Sequence, residues 1–136
     1  MGRELFFYND SSGSVAAGRL GTDGNFTGLT TGGGLSTGWT HIVAVGRELF
    51  FYNDSSGSVA AGRLGTDGNF TGLTTGGGLS TGWTHIVAIG RELFFYNDYS
   101  GSVAAGRLGT DGNFTGLTTG GGLSTGWTHA VAVGRE

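Results

Sequence analysis

The sequence predicts an all-β protein, a β-propeller assembled from 44-residue, four-stranded blades with three blades in the chain. Three observations carry that expectation. A 44-residue unit recurs three times almost unchanged, with the length and strand content of a propeller blade. Each unit contributes to a hairpin that is apolar on both faces, so its sheet has to be covered on both sides. Turn-forming residues divide every unit into four short runs, none of which has helical periodicity.

The 136 residues read as a single repeat domain. Copies span 2–45, 46–89 and 90–133, and 134–136 begin a fourth. They differ in only three columns: Ser11, Ser55 and Tyr99; Ile42, Ile86 and Ala130; Val45, Ile89 and Val133. Uniformity of this degree marks either recent amplification or deliberate symmetrisation.

In the first copy, strands are expected at 4–9, 14–20, 25–30 and 39–45. Asp10-Ser-Ser-Gly13 and Gly21-Thr-Asp-Gly24 separate the first three with the residues of tight turns. Thr31-Gly-Gly-Gly-Leu-Ser-Thr-Gly38 is longer, as needed where the chain leaves one sheet for the next. The fourth strand and the first strand of the following copy make the apolar hairpin, 39–53. His41, Val43 and Val45 alternate there with Ile42 and Ala44, and Phe50 and Tyr52 with Leu49 and Phe51. Gly46-Arg47 between them suits a two-residue type II′ turn. Its last strand, 127–136, has no following copy in the chain, and 2–9 has no preceding one. A monomeric β-trefoil also uses three repeats of four strands and is the alternative fold, but its strands need one polar, outward face.

Composition narrows the function. Seven Arg against ten Asp and Glu give a net charge of −3 without a basic cluster, so the electrostatic footprint of a nucleic-acid partner is missing. Apolar runs fall far short of the roughly 20 residues that cross a bilayer as a helix, and no membrane partner is expected. The first residues enter the repeat at once, without the apolar core of a signal peptide, which leads to the expectation of a cytosolic protein as expressed. Thirty-one Gly would suggest disorder, but they punctuate aromatic and β-branched runs at regular intervals.

Gly38-Trp-Thr-His-Ile-Val-Ala-Val-Gly46, followed by Glu48-Leu-Phe-Phe-Tyr52 and Gly-rich loops, resembles the tachylectin and tectonin-type lectin propellers. The resemblance implies a propeller that binds sugars between neighbouring blades. On the residues alone, Trp39, Trp83 and Trp127 offer an indole face for stacking on a sugar ring. Asn9 and Asp10, Asn53 and Asp54, and Asn97 and Asp98, with Arg19, Arg63 and Arg107, offer hydrogen bonds to hydroxyls from loop tips held by a rigid sheet. Blade-entrance packing for Trp and turn capping for Asn and Asp explain the same residues without a ligand. His41, His85 and His129 recur once per copy, beside apolar runs where a hydrogen-bonded structural role outweighs a metal site; no metal or other cofactor is expected.

Gly34-Leu-Ser-Thr-Gly38 fits the pattern of a hydrolase nucleophile elbow, yet an elbow requires a helix after the serine and none is predicted. No lysine is present to complete a phosphate-binding loop. The expectation is therefore a carbohydrate-binding module that is not an enzyme, its weak sites gaining strength by acting together; the alternative is a symmetrised scaffold without a ligand. Three blades do not close a ring, so a homodimer with six blades is expected, in which 127–133 of one chain pairs with 4–9 of the next.

Overall fold

The computed structural model describes residues 3–133. Gly2, where the first copy begins, and 134–136, which start a fourth, lie outside the described residues. Eleven strands are present: β1 (Glu4–Tyr8), β2 (Val15–Leu20), β3 (Phe26–Gly32), β4 (His41–Val45), β5 (Glu48–Tyr52), β6 (Val59–Leu64), β7 (Phe70–Gly76), β8 (His85–Ile89), β9 (Glu92–Tyr96), β10 (Val103–Leu108) and β11 (Phe114–Gly120). All pairing is antiparallel, in three sheets of order β1-β2-β3, β4-β5-β6-β7 and β8-β9-β10-β11. Each sheet pairs only within itself, so the trefoil alternative, whose hairpins share one barrel, is not the arrangement adopted.

The sheets are offset from the sequence repeats. Each four-stranded sheet takes its first strand from the end of one copy and the other three from the next. Turn lengths cause this. Only Gly46-Arg47 joins β4 to β5, with Gly46 at φ +61° and Arg47 outside the positive-φ region, as a type II′ turn demands. Residues 33–40, by contrast, are long enough to carry the chain into the next sheet. In the third strand of each full sheet the ladder slips by one residue, between Ala61 and Gly62 and between Ala105 and Gly106. A Cβ on Gly62 would stand 2.2 Å from Cζ of Phe70, so the missing side chain lets that ring lie across the strand.

Aromatic rings join the sheets. Phe6 of the first sheet meets Phe51 at 6.2 Å and Phe70 at 5.5 Å in the second. Phe50 repeats this with Phe95 at 6.2 Å and Phe114 at 5.5 Å in the third. The two-faced apolar hairpin is accordingly covered on both sides in the middle sheet, where β5 is buried from end to end. The cover on both sides that the sequence calls for is missing at β1: Leu5 is 41% and Phe7 48% exposed, because the first sheet has a neighbour on one side only. Nor is 127–133 a strand. In the other copies this segment pairs with the strand that follows it, and among the described residues none follows 133; Val131 and Val133 are left more than three-quarters exposed.

A second fastening is ionic. Glu4 accepts a hydrogen bond from Arg19 Nε of its own sheet at 3.1 Å and from Arg47 Nη1 of the next at 2.6 Å. Glu48 does the same with Arg63 at 2.9 Å and Arg91 at 2.6 Å. Arg47 and Arg91 are themselves anchored through Nε to the carbonyls of Leu64 and Leu108. Arg19 also donates across the junction to the carbonyl of Thr66 at 2.5 Å, and Arg63 donates likewise to Thr110.

Burial works hardest against ionisation of Glu48, but the Arg91 and Arg63 guanidiniums together outweigh it and hold the carboxyl below its ordinary value. Glu4 is held low chiefly by the hydrogen bond from Arg47 and then by that from Arg19. A folded-state pKa below the unfolded one stabilises the fold above the ordinary value of 4.5 and ceases to do so as pH falls through the folded value.

Two outcomes are expected. Phe50, 1% exposed, should cost roughly 3–5 kcal/mol when changed to Ala, read by urea unfolding; a change within error would contradict stacked sheets. The melting temperature should drop as pH is lowered below 4.5, and Glu48→Gln should flatten that drop. The same variant should lower stability at neutral pH by about 1–3 kcal/mol. The lower end is expected because Arg63 and Arg91, at 44% and 32% side-chain exposure, are partly screened by water. An acid limb unaltered by the substitution would remove Glu48 from this role.

Candidate functional site

The junction between sheets, at the end where the Gly-rich connection crosses, gathers the aromatic and amide candidates. Residues 33–40 are pinned there by a tyrosine. Tyr8 donates its hydroxyl proton to the carbonyl of Ser36 at 2.5 Å and accepts the N–H of Trp39 at 3.4 Å. Tyr52 does so with Ser80 and Trp83, and Tyr96 with Ser124 and Trp127. Burial raises the pKa of the Tyr52 hydroxyl, which keeps it a donor. Gly38 N–H reaches the carbonyl of Asp10 at 3.0 Å, and Gly82 that of Asp54. The connection is thereby held rather than free, despite its three consecutive glycines.

This pinning sets Trp39 half-buried against the ring of Phe51 at 5.9 Å, and Trp83 against Phe95 at 5.8 Å. The residues on either side of Trp39 meet Asp10 of their own copy and Asn53 and Asp54 of the next. The position of a Cβ on Gly38 would be 3.6 Å from Asn53 Nδ2. Asp54 N–H donates to Thr40 Oγ1 at 3.0 Å, and Asp98 N–H to Thr84 Oγ1 at 3.0 Å, so backbone rather than carboxylate makes these bonds. Asn9, Asn53 and Asn97 each accept a backbone N–H two residues on, from Ser11, Ser55 and Tyr99. The capping role of the asparagines is thus real, and it uses Oδ1 in each. Trp127 stands apart from its two counterparts at 59% exposure.

The arginines are not part of this cluster. In the ladder Arg19 pairs with Glu4, whereas Asn9 follows Tyr8 at the far end of the same strand, about 16 Å away at the rise of an extended chain. Arg63 and Arg107 stand opposite Glu48 and Glu92 in the same way. Asp23 belongs to the arginine end as well; it accepts Asn25 N–H at 3.0 Å and Asn25 Nδ2–H at 2.8 Å, and these bonds hold its carboxyl low, as they do for Asp67 and Asp111. The reading that joined Asn9, Asp10 and Arg19 in one group is corrected by strand direction: residues ten apart across a tight turn need not share an end. Sequence reasoning also missed Glu4, Glu48, Arg47 and Arg91, although the Gly-Arg-Glu of each turn was the one charged interruption of an apolar hairpin.

His41 Nε2 lies 3.0 Å from the carbonyl of Thr84 and His85 Nε2 2.7 Å from that of Thr128, so each carries its proton on Nε2 and ties the start of β4 or β8 to the next connection. A groove of about 1480 Å³ runs along β1. Asn9, Asp10, Trp39 and Thr40 line one end of it, and Glu4, Arg19, Arg47 and Thr66 the other.

No family model matches the chain, and no curated protein matches it either. Solved structures do. A protein described as a candidate 6-phosphogluconolactonase from Bacteroides fragilis aligns with a TM-score of 0.63 at 16% identity, over 90% of this chain and 37% of its own. The periplasmic gluconolactonase of Pseudomonas aeruginosa gives 0.61 at 15%, over 90% and 38%. A second candidate 6-phosphogluconolactonase, from Bacteroides uniformis, gives 0.56 at 22%, over 93% and 41%. The chain thus spans about two fifths of these proteins, and the likeness is one of fold, a propeller-like succession of antiparallel sheets. It corrects one expectation. The exclusion of enzymatic activity rested on the lack of a helix after Ser36 and of a phosphate-binding loop, but the solved structures whose fold this chain resembles include proteins named as lactonases, and a rigid sheet can hold reactive groups on its loops.

Proposed function

We propose that the chain is a carbohydrate-binding propeller module with equivalent shallow sites at its blade junctions, and that its sheets are consecutive blades of a closed ring. The observation that carries this reading is a recurring arrangement in which a half-buried indole, Trp39 or Trp83, rises from a connection whose flanking residues meet the Asn-Asp turn of the following copy: Gly38 lies against Asn53 and Thr40 accepts Asp54 N–H, and Gly82 lies against Asn97 and Thr84 accepts Asp98 N–H. An aromatic ring with polar turn residues close by suits a sugar, which offers an apolar ring face and vicinal hydroxyls. Resemblance of the Gly-Trp entry to tectonin-type lectins supports the same ligand class. So do the names of the structural neighbours, which denote lactones of sugar acids, compounds equally rich in hydroxyls. Near-identity of the copies favours a second reading, a symmetrised scaffold without a ligand.

A glycan array with the purified chain separates the two. Retention of one class of sugar terminus is expected, and silence against all common termini leaves the scaffold. Replacing Trp39, Trp83 and Trp127 together by Phe keeps a ring against Phe51 and Phe95. It should weaken retention about 2- to 10-fold, the equivalent of roughly 0.5–1.4 kcal/mol of ring contact, with the β-sheet circular dichroism unchanged. Binding that survives the triple substitution intact would assign the indoles to packing alone.

A further inference from the structure

The groove along β1 and the unpaired segment 127–133 are the two halves of one missing structure. In the full sheets the edges of β5 and β9 are covered by β4 and β8, in the registers Ala44↔Leu49 and Ala88↔Leu93. The edge of β1 has no such strand, and β1 and β4 face each other across the groove. Residues 129–133, His-Ala-Val-Ala-Val, differ from β4 only by Ala130 in place of Ile42. They belong to no strand and, apart from half-buried Ala130, are exposed, with Val131 at 78%. We propose that 127–133 of a second copy of this chain occupies the groove as the absent strand, in the register Ala132↔Leu5, and that two chains close on one another by reciprocal exchange. The inference rests on the ring reading above, not on the sugar.

The faces at the two ends of the arc argue for a second copy rather than an unrelated partner. At the inner junctions Leu29 and Leu73 press on the turns of the next sheet, their Cβ atoms 2.7 Å from where a Cβ on Gly68 or Gly112 would stand; Gly24, the same position in the first sheet, has nothing within 4 Å. Leu117, the counterpart of Leu29, is 44% exposed at the other end. Phe26 is 53% exposed where Phe70 receives Phe6. Each end therefore presents one half of a junction that the chain itself makes twice. Head-to-tail contacts between such halves form a ring when the rotation closes, and two of them bury roughly 2,000 Å² or more, enough for an obligate pair. The exchange would also complete the candidate site, since Gly126 and Thr128 of the partner would meet the turn at Asn9 and Asp10 as Gly38 and Thr40 meet Asn53 and Asp54, bringing Trp127 to that junction. Covering the edge of β1 removes an exposed pairing strand.

The chain has no cysteine, so Leu5→Cys with Ala132→Cys introduces one defined pair. Register partners in an antiparallel ladder lie about 4.5–5.5 Å apart at Cα, within disulfide reach. On mild oxidation a reducible species of twice the 13.8 kDa chain mass is expected, and neither single variant should give it in comparable yield. A cross-linked monomer would put the segment in its own chain's groove and overturn the exchange. Two measurements on the unaltered chain stand independently of whether the double variant folds. Light scattering at micromolar concentration should report a dimer; a monomer, or an assembly larger than two chains, overturns the proposal. Amide exchange across 129–133 should be as slow as across β4, and exchange at the rate of a free segment overturns it. A dimer by scattering with no cross-link and fast exchange would leave a ring closed by end faces and refute only the strand exchange. Silence on the glycan array would bear on none of these outcomes.

Discussion

Adjacent sheets are held in one relative position by a carboxylate shared between them. Glu48 sits at the start of a strand buried along its whole length, and its two oxygens are taken by Arg63 of its own sheet and Arg91 of the next. Burying that charge is tolerable only because both partners arrive, one across the ladder and one from a two-residue turn. The turn must therefore be tight and must present Arg and Glu in succession, which ties Gly46, Arg47 and Glu48 into one unit. Aromatic burial supplies the attraction between sheets, but rings alone would tolerate sliding. The clasp, with Arg19 and Arg63 reaching the turns at Thr66 and Thr110, gives the contact a single register.

The same construction explains the two ends of the chain. A sheet apolar on both faces is stable only between neighbours, so the middle sheet is covered on both faces and the outer ones on one. Leu5, Phe7 and Phe26 at one end and Leu117 at the other carry the side chains of a junction without its second half. The exposure of these residues follows from their place in the succession of sheets, since their counterparts with the same sequence are buried or half-buried elsewhere.

The candidate site depends on this frame through Tyr8, Tyr52 and Tyr96. Each hydroxyl lies at the end of a strand that begins with a glutamate, and each reaches 28 residues along the chain to hold a glycine-rich connection in place. A loop of that composition would otherwise cost conformational entropy to order. Held in this way, it delivers an indole to the same position at successive junctions, beside the Asn-Asp turn of the following copy. The arginines, at the other end of the strands, are committed to the junction itself.

Much of this was legible in the residues. The 44-residue period, the two-faced apolar hairpin and the Gly-Arg turn are local statements, and together they determined four-stranded sheets, their strand boundaries to within two residues and the burial of β5. The Asn caps were equally local. What the chain could not disclose residue by residue was anything depending on which sheet a copy occupies or which end of a strand a residue reaches. Phe7 and Phe51 have the same neighbours in sequence, yet one is half exposed and the other buried, because burial is a property of the junction. Asp10 and Arg19 look like partners in sequence and are separated by strand direction. The clasp of Glu48 joins residues 43 apart, and only the stacking of one sheet on the next brings them within 2.6 Å.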